Sequence, residues 1–456
     1  MKKVFSCLMS LCLLASSCIN TDEQQPDSIK ESYLANQALL TKSITDRLSE
    51  GITQADVENY MVYMMSIIPD EIKDITKYDL DEDTYIYIVN LKDGRWFIFS
   101  GDYSTSPIVI KGSHNGFYLE KDLSALPRHD RLWLESLRDV IVKNRTTMSE
   151  ETRRNQSEWI HSNTLAMRLS GRRSGGIRSE DPDTIEVDIQ LIIDTLIYEN
   201  YPGLTSTSWD QSVPWNNAMP KYTTNDRCLA GCTVIGIAQL LYYTHYHFGF
   251  PNEIYESASC DDYYSDGPPY SFVLTNPTTT SWDQMVLSFD DDPLCMFDPY
   301  MPALCALIAQ RSGTAYGVDP LINPLLYDPT YGSTPVANVP STMSSFFLYG
   351  TSQESYTKAD VINEIQNGRP VLTGGTANQN ETSGHAFLID GYYWIKCREI
   401  EQVRDMSGNL IQETIYMHEN FYWNINTGNP SAHHIQSAEY AYYPNNRIIF
   451  IGWSQN

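Results

Sequence analysis

The segment that decides the fold of this chain is Asp226-Arg-Cys-Leu-Ala-Gly-Cys232-Thr-Val-Ile-Gly-Ile-Ala-Gln239-Leu-Leu-Tyr-Tyr243. From Leu229 to Tyr242 it is apolar on nearly every face of a helical wheel, which is typical of a helix buried inside a large domain. Cys232 lies in the first turn of this helix, after Gly231, where unpaired backbone N–H groups and the positive helix end favour an anion. The segment therefore predicts a central helix that begins with a low-pKa thiolate nucleophile.

A cysteine nucleophile needs an imidazole base and a group that orients it, and both follow downstream. The segment Gly384-His385-Ala-Phe-Leu-Ile-Asp390-Gly391 predicts a strand that begins at the histidine and ends in a turn. A second aromatic strand, Tyr416-Met-His418-Glu-Asn420-Phe-Tyr-Trp423, carries an amide and a competing histidine, His418. The order of Cys232, His385 and Asn420 is that of papain-like peptidases.

Three segments together resemble the streptopain family of papain-like cysteine peptidases. The helix segment GCTVIGIAQLLYY is similar to the family's Gly-Cys-Val-Ala-Thr-Ala-x-Ala-Gln helix, and GHAFLIDGY is similar to its His strand. Upstream, Trp209-Asp-Gln211-Ser-Val-Pro214-Trp-Asn216 resembles the segment whose glutamine belongs to the oxyanion hole. The resemblance implies an α+β fold, in which a papain-like domain with a central helix and an antiparallel sheet follows a small α+β pro-domain.

The same resemblance assigns roles to individual residues. The catalytic residues are Cys232, His385, Asn420 and Gln211, with a thiolate–imidazolium pair of Cys232 and His385 that acts on peptides. The residues expected to bind substrate are Gly231, Gly384, Phe421 and Trp423. No metal and no organic cofactor are implied.

The third active-site segment departs from the family pattern. The family has His-x-Asn-Trp-Gly-Trp-Gly-Gly, whereas this chain has His418-Glu-Asn420-Phe421-Tyr422-Trp423-Asn424. Two alternatives therefore stay open. The first is a peptidase fold that has lost turnover and binds peptides, and the second is another thiol acyl-transfer enzyme, such as an amidase or a transglutaminase.

The N-terminal residues have the pattern of an export signal. Met1-Lys-Lys precedes a short apolar run that ends in Leu14-Ala-Ser-Ser-Cys18, which looks like a bacterial lipobox. We expect a signal peptide over residues 1–17, lipid on Cys18 and a polar tether over residues 18–27. We therefore expect an exported lipoprotein at the outer membrane or cell surface, which processing could release. Plain secretion is the alternative.

The remaining chain is expected to form two compact units. Residues 28–126 predict an α+β unit with a hairpin around Lys92-Asp-Gly-Arg95, and the segment VNLKDGRWFIFSGDYSTSPIVIKGSHNGFY resembles the propeptide of streptopain-family zymogens. An unrelated small binding module is the alternative. Residues 127–183 predict a helical segment and a linker rich in Gly, Ser and Arg, with cleavage expected between Arg178 and Ser179. Residues 184–456 form the predicted peptidase domain, and the pro-domain is expected to act as its intramolecular inhibitor.

The composition narrows the choice of partners. The net charge of −26 argues against nucleic acid as a partner, so we expect protein or peptide substrates and contact with a membrane only through the lipid anchor. Nine cysteines in 456 residues are too few for a disulfide scaffold. Cys228 and Cys232 lack the second pair of ligands that a zinc site needs, but a regulatory disulfide between them stays open.

Overall fold

The computed structural model of the chain describes residues 42–112, 116–119, 126, 128–147, 149–173, 187–220, 226–249, 256–260, 270–274, 282–283, 285, 287–288, 300–316, 332–346, 348–377, 379, 384–405, 407–428, 434–438 and 442–454. The helices are α1 (42–48), α2 (Gln54–Met65), α3 (Arg128–Thr146), α4 (Glu150–Arg173), α5 (Cys232–Phe248), α6 (Tyr300–Ser312), α7 (Val339–Ser345) and α8 (Lys358–Gln366). The strands are β1 (Ile72–Asp79), β2 (Tyr85–Leu91), β3 (Trp96–Ser100), β4 (Ile108–Gly112), β5 (Val187–Tyr201), β6 (Glu256–Cys260), β7 (Tyr270–Leu274), β8 (Ala315–Tyr316), β9 (Gly332–Ser333), β10 (Ser352–Ser355), β11 (Val371–Thr376), β12 (Gly384–Asp405), β13 (Leu410–Asn426), β14 (His434–Ala438) and β15 (Asn445–Ile451).

The N-terminal unit, residues 42–173, forms from local signals in its sequence. The side chain of Thr53 caps α2 by accepting from the backbone N–H of Asp56. The backbone N–H of Thr53 in turn donates to the carboxylate of Asp56 at 2.8 Å, which completes a capping box. Between β2 and β3 the chain turns at Gly94, which has a φ of 93°. Glycine adopts this conformation with little strain because it has no Cβ. The predicted hairpin is confirmed, and the predicted helical segment forms the two helices α3 and α4.

One antiparallel sheet connects the N-terminal unit to the rest of the chain. Within the described residues eleven strands join in the order β1-β2-β3-β4-β14-β13-β12-β11-β15-β10, with β5 also paired to β12. The junction is the pairing of β4 with β14, in which Lys111 lies opposite Gln436. The two predicted units therefore share a sheet, and the boundary between them runs along a strand pair.

The two units also share a hydrophobic core. Buried residues of α2, β2, β3 and α3 form one continuous cluster with residues of β11 to β15. A second cluster surrounds α5, where residues 234–245 are buried against α6, β11 and β12. Because α5 is surrounded by other elements, its residues are apolar on nearly every side. The predicted central helix is confirmed.

A long hairpin made by β12 and β13 extends well past the core. Its two strands contain 22 and 17 residues, and β5 pairs along the outer part of β12. The predicted turn at Asp390-Gly391 is wrong, because β12 continues through this point with a bulge between Ile389 and Gly391. Glycine is required there, since a Cβ on Gly391 would overlap the carbonyl oxygen of Tyr201 in β5.

Candidate active site

Cys232 is the first residue of α5, as its sequence context predicts. Gly231 precedes it as the N-cap with φ of 99°, a conformation that residues with a side chain rarely adopt. This geometry turns the chain sharply into the helix and leaves the thiol at the positive helix end. Gly231 thus has a backbone role at the nucleophile, and its part in substrate binding stays a prediction.

His385 lies beside Cys232, at the start of β12. The backbone N–H of Ala386, the next residue, donates a hydrogen bond to Cys232 Sγ at 3.3 Å. The histidine is buried, and its ring lies 5.1 Å from the ring of Tyr443. The structure therefore brings the thiol to the start of the strand that carries the imidazole, although the two residues are far apart in the sequence.

The backbone of Thr427 orients the imidazole of His385. Nε2 of His385 lies 2.9 Å from the carbonyl oxygen of Thr427, and a carbonyl accepts only from a protonated nitrogen. The proton of the neutral ring is thus fixed on Nε2, which makes Nδ1 the nitrogen that can exchange a proton with a thiol.

Asn420 does not orient His385, contrary to the prediction. The residue lies in β13 opposite Ile395, ten residues beyond His385 along β12. At about 3.3 Å per residue this separation is on the order of 30 Å. The reason is the length of the β12–β13 hairpin, which carries the Asn420 segment away from the helix α5.

Phe421 and Trp423 are also remote from the nucleophile, so their predicted contact with substrate is wrong. Phe421 pairs with Trp394 and Trp423 pairs with Tyr392, and these side chains pack in or against the hydrophobic core that the two units share. Trp423 is fully buried, and its indole N–H donates to the hydroxyl of Tyr356 at 2.9 Å. These aromatic side chains stabilise the hairpin.

Gln211 lies next to the loop that leads into α5. Its backbone carbonyl oxygen accepts a hydrogen bond from the backbone N–H of Ala230 at 2.8 Å. Ala230 lies two residues before Cys232. The same segment is fixed on α5 itself, because the buried Gln239 accepts hydrogen bonds from Thr207 and from the N–H of Trp209. The predicted neighbourhood of Gln211 and Cys232 is therefore present.

Gly384 allows two strands to approach closely at the histidine. A Cβ at this position would overlap the carbonyl oxygen of Gly375 in β11. The pair Gly375 and His385 is in register between β11 and β12, so this contact sets the position of the imidazole. The role of Gly384 lies in this backbone approach.

The thiol of Cys232 does not have the expected low pKa in this structure. Burial raises the pKa of Cys232 above its ordinary value, although hydrogen bonds from Ala386 and Thr233 act to lower it. Cys228, the possible disulfide partner, is buried, and no disulfide joins it to Cys232. The protonated form of the nucleophile is favoured, although its side chain is only partly buried.

Asp390 organises a polar network that the sequence did not reveal as such. Its buried carboxylate accepts from the N–H of Thr205 at 3.0 Å and from Asn424 at 2.9 Å. His434 lies 3.4 Å from it, and although burial lowers the pKa of His434, this carboxylate raises it above the ordinary value overall. A signal was available in the sequence, since Asp390 stands at the end of the predicted His strand, but its partners come from three other segments.

Two further residues support the Cys232 loop. The hydroxyl of Tyr316 donates to the carbonyl oxygen of Ala230 at 3.1 Å. Gly332 lies so close that a Cβ on it would come within 2.9 Å of the carbonyl oxygen of Leu229. Nothing in the sequence marked these two positions.

An aromatic chain connects the N-terminal unit to His385. The ring of Phe117 lies 5.5 Å from Trp133 in α3, and Trp133 lies 6.1 Å from Tyr442. The ring of Tyr442 is 6.0 Å from the imidazole of His385. The N-terminal unit therefore packs against the residues that surround the candidate base.

Three predicted sites lie outside the described residues. They are the lipidation site Cys18 and the two residues of the cleavage site, Arg178 and Ser179. The competing histidine, His418, lies in the outer hairpin and contacts Glu399 at 3.0 Å, away from Cys232. Among the described residues no helix is both long enough and apolar enough to cross a membrane.

Part of the chain matches a known family of peptidases. The model of the Peptidase C10 family, the streptopain family, matches residues 209–428, which include Gln211, Cys232 and His385. No curated protein matches the chain.

Two solved structures from Prevotella intermedia are similar to the chain. One is a fragment of prointerpain A, 16% identical, which covers 84% of this chain and 99% of that chain with a TM-score of 0.47. The other is active wild-type interpain A, a cysteine protease, 17% identical, which covers 56% of this chain and 96% of that chain with a TM-score of 0.39.

Proposed function

We propose that this chain, whose residues 209–428 match the model of the Peptidase C10 family, is a cysteine peptidase in which Cys232 and His385 hydrolyse peptide bonds in a zymogen. The observation that carries the proposal is the hydrogen bond from the N–H of Ala386 to Cys232 Sγ. It places the strand that begins with His385 directly on the start of α5.

The reaction follows from these positions. The thiol of Cys232 gives its proton to Nδ1 of His385, and the thiolate attacks the scissile carbonyl carbon. The oxyanion of the tetrahedral intermediate is stabilised by the backbone N–H of Cys232 and the side-chain amide of Gln211. His385 then donates the proton to the leaving amine and afterwards takes one from the water that hydrolyses the thioester. Thr427 holds the ring through Nε2 in each step.

The N-terminal unit is proposed to act as the inhibitor. Two contacts support this role, the pairing of β4 with β14 and the packing of Trp133 on Tyr442 beside His385. The raised pKa of Cys232 fits an inactive form of the enzyme, because the protonated thiol is a poor nucleophile.

Activation requires the N-terminal unit to separate from the peptidase. We place the cleavage between Arg178 and Ser179, because these residues lie between the end of α4 at Arg173 and the start of β5 at Val187. A cut there leaves β5 with the peptidase, so that release needs only the β4–β14 pair and the shared core to part. Export and attachment through Cys18 are proposed from the lipobox-like segment.

The alternative of a peptidase that has lost turnover rested on the altered segment at Asn420 and Phe421. That segment lies in the outer hairpin and not at the nucleophile, so its departure from the family pattern gives no reason to expect impaired chemistry. The other alternative, transfer of the acyl group to an amine, uses the same residues and is separated by the products.

The test is hydrolysis of casein and of a fluorogenic peptide by the processed protein. We expect cleavage, labelling of Cys232 by a thiol-directed epoxide, and loss of both in Cys232→Ala. Cys397→Ala is the matched control, since this free cysteine lies on β12 in the outer hairpin. Undiminished digestion by Cys232→Ala would refute the assignment, and transfer to an added amine in preference to water would favour the acyl transferase.

A further inference from the structure

Three residues that the proposed mechanism does not use meet between the N-terminal unit and the outer hairpin. His161 lies on α4, Glu399 on β12 and His418 on β13. Nε2 of His161 is 3.1 Å from one carboxylate oxygen of Glu399, and Nε2 of His418 is 3.0 Å from the other. The two imidazole rings lie 5.4 Å apart.

This cluster is buried, but two of its facing polar atoms lack a well-aligned hydrogen bond. The side chains of His161 and Glu399 are only 2% and 8% exposed. Nε2 of His161 and Oε1 of Glu399 nevertheless have no aligned hydrogen bond, although they are the two atoms that face each other. Buried polar atoms are nearly always paired in native proteins, so two orphan atoms that share one space suggest an absent partner between them.

We propose that His161, Glu399 and His418 bind a zinc ion. Two imidazole nitrogens and one carboxylate form a known zinc ligand set, with bonds of about 2.0–2.2 Å and a fourth position for water. The three ligand atoms lie within 4.8 Å of one another, so small side-chain movements would bring all three within bonding distance of one ion. Sequence analysis predicted no metal, because the ligands come from three elements that are distant in the sequence.

The surroundings favour a cation at this position. The two carboxylate oxygens of Glu399 each face one imidazole nitrogen, so its charge is directed at the space between the two rings. A second buried carboxylate, Glu158, interacts with His418, and it also accepts from the hydroxyl of Tyr60 at 3.3 Å. The opposing charge is Arg154, which pairs with Glu419 at 3.6 Å.

The zinc site would connect the N-terminal unit to the peptidase. One ligand belongs to α4, which precedes the proposed cleavage site, and two belong to the hairpin that stays with the peptidase. Zinc bound there stabilises the joined form, because it binds this form and not the separated parts. The ion is structural, since it lies in the outer hairpin away from Cys232.

The experiment uses the full-length Cys232→Ala protein, which cannot process itself and cannot bind metal through the nucleophile. After treatment with a chelator and dialysis, it is titrated with zinc chloride against a chromophoric chelator. We expect one zinc per chain, a Kd below about 1 µM, and a melting temperature raised by about 4 °C or more.

Matched variants locate the ion. His418→Gln and Glu399→Gln should each weaken zinc binding by about a hundredfold or more, whereas His247→Gln, which changes an exposed histidine of α5, should leave it unchanged. Circular dichroism without metal checks that each variant is folded. If a variant does not fold, zinc-edge X-ray absorption of the parent decides by the presence of imidazole ligands. No saturable zinc uptake, binding unaltered in His418→Gln, or bound zinc without imidazole ligands would overturn the proposal.

Discussion

Nε2 of His385 lies 2.9 Å from the carbonyl oxygen of Thr427, so a backbone group occupies the orienting position that the sequence assigned to a side-chain amide. A backbone acceptor cannot be removed by substitution of its side chain. The segment that carries it is held instead by Asn426, whose buried amide donates to the hydroxyl of Thr205 at 3.1 Å. The orientation of the base therefore depends on the packing behind it.

The first prediction compares two asparagines of β13. Asn420→Ala should lower kcat/KM less than about threefold, because this residue lies opposite Ile395 in the outer hairpin. Asn426→Ala leaves the hydroxyl of Thr205 without its donor and lets Thr427 shift, so we expect a loss of about 1–3 kcal/mol in stability and at least tenfold in kcat/KM. Steady-state hydrolysis of a fluorogenic peptide by the processed variants measures both. A larger loss in Asn420→Ala than in Asn426→Ala would restore the original assignment.

A second prediction concerns Trp133, which packs on Tyr442 beside the base. Trp133→Ala removes a fully buried indole from the contact between the N-terminal unit and the peptidase, at a cost of about 3–5 kcal/mol. We expect the full-length variant to process itself at least tenfold faster than the parent, as followed by gel electrophoresis.

The control for this experiment is Trp159→Ala. Trp159 is equally buried but packs on Tyr60 and Phe99 within the N-terminal unit. It should destabilise the unit with a smaller effect on processing. Equal acceleration in both variants would mean that general unfolding of the unit, and not the contact with Tyr442, controls activation.

The parts of the active site that the sequence predicts correctly are those with local causes. Cys232 begins α5 because Gly231 adopts a positive φ there and the following residues are apolar all round. His385 lies at the start of β12, where Gly384 allows the close approach of β11. Each of these features depends on a few adjacent residues, so a short motif contains enough information.

The parts that the sequence predicts incorrectly depend on register between distant segments. Asn420 stands in a motif-like segment, but the hairpin length decides where it lies, and neither strand signals that length locally. The same holds for the pairing of Lys111 with Gln436, which joins two units expected to be separate. The cluster of His161, Glu399 and His418 likewise exists only once three elements are packed together.

A third prediction follows from Lys111 in β4, where the N-terminal unit meets β14. Burial lowers the pKa of Lys111 to about 8, and its ammonium group lies 4.5 Å from the ring centre of Tyr422. The folded protein therefore binds this proton more weakly than the unfolded chain does. Between about pH 8 and the unfolded pKa near 10.4 the unfolded state holds more protons than the folded state, so the free energy of unfolding rises with pH over this range. The stability that the neutral lysine provides at high pH is therefore lost as the pH falls to about 8.

Lys111→Met should consequently raise the melting temperature of full-length Cys232→Ala protein by a few degrees at pH 7. The difference between variant and parent should shrink as the pH rises from 8 towards 10.5, where the parent lysine is neutral as well. Lys92→Met, in the exposed turn between β2 and β3, is the control and should show no such trend. A constant difference from pH 7 to pH 10 would show that the charge of Lys111 is not the cause.

The fourth prediction concerns the pH dependence of the alkylation of Cys232 before and after processing. Because burial raises its pKa, the thiolate fraction of the full-length protein is low at pH 7 and rises only at alkaline pH. Alkylation of Cys232 by iodoacetamide, followed by mass spectrometry, should be slow at pH 7 and speed up above about pH 9. After processing, pairing with His385 should move the rise in rate to below pH 7, and His385→Ala should return it to alkaline pH. Identical pH profiles before and after processing would contradict the inhibitory role of the N-terminal unit.

The last prediction separates two glycines of adjacent strands. At Gly384 a Cβ would overlap the carbonyl oxygen of Gly375, so Gly384→Ala must push β12 away from β11 and carry His385 with it. A shift of about 1 Å in a catalytic group costs on the order of a hundredfold in rate, and we expect this loss in kcat of the processed enzyme. At Gly374 a Cβ would lie 3.6 Å from the nearest atom, the carbonyl oxygen of His385, which is ordinary contact. Gly374→Ala should therefore retain activity within about threefold, although it lies one residue from the same strand contact. If both variants keep full activity, the approach of β11 to Gly384 does not position the base, and the imidazole is held by Thr427 and its aromatic neighbours alone.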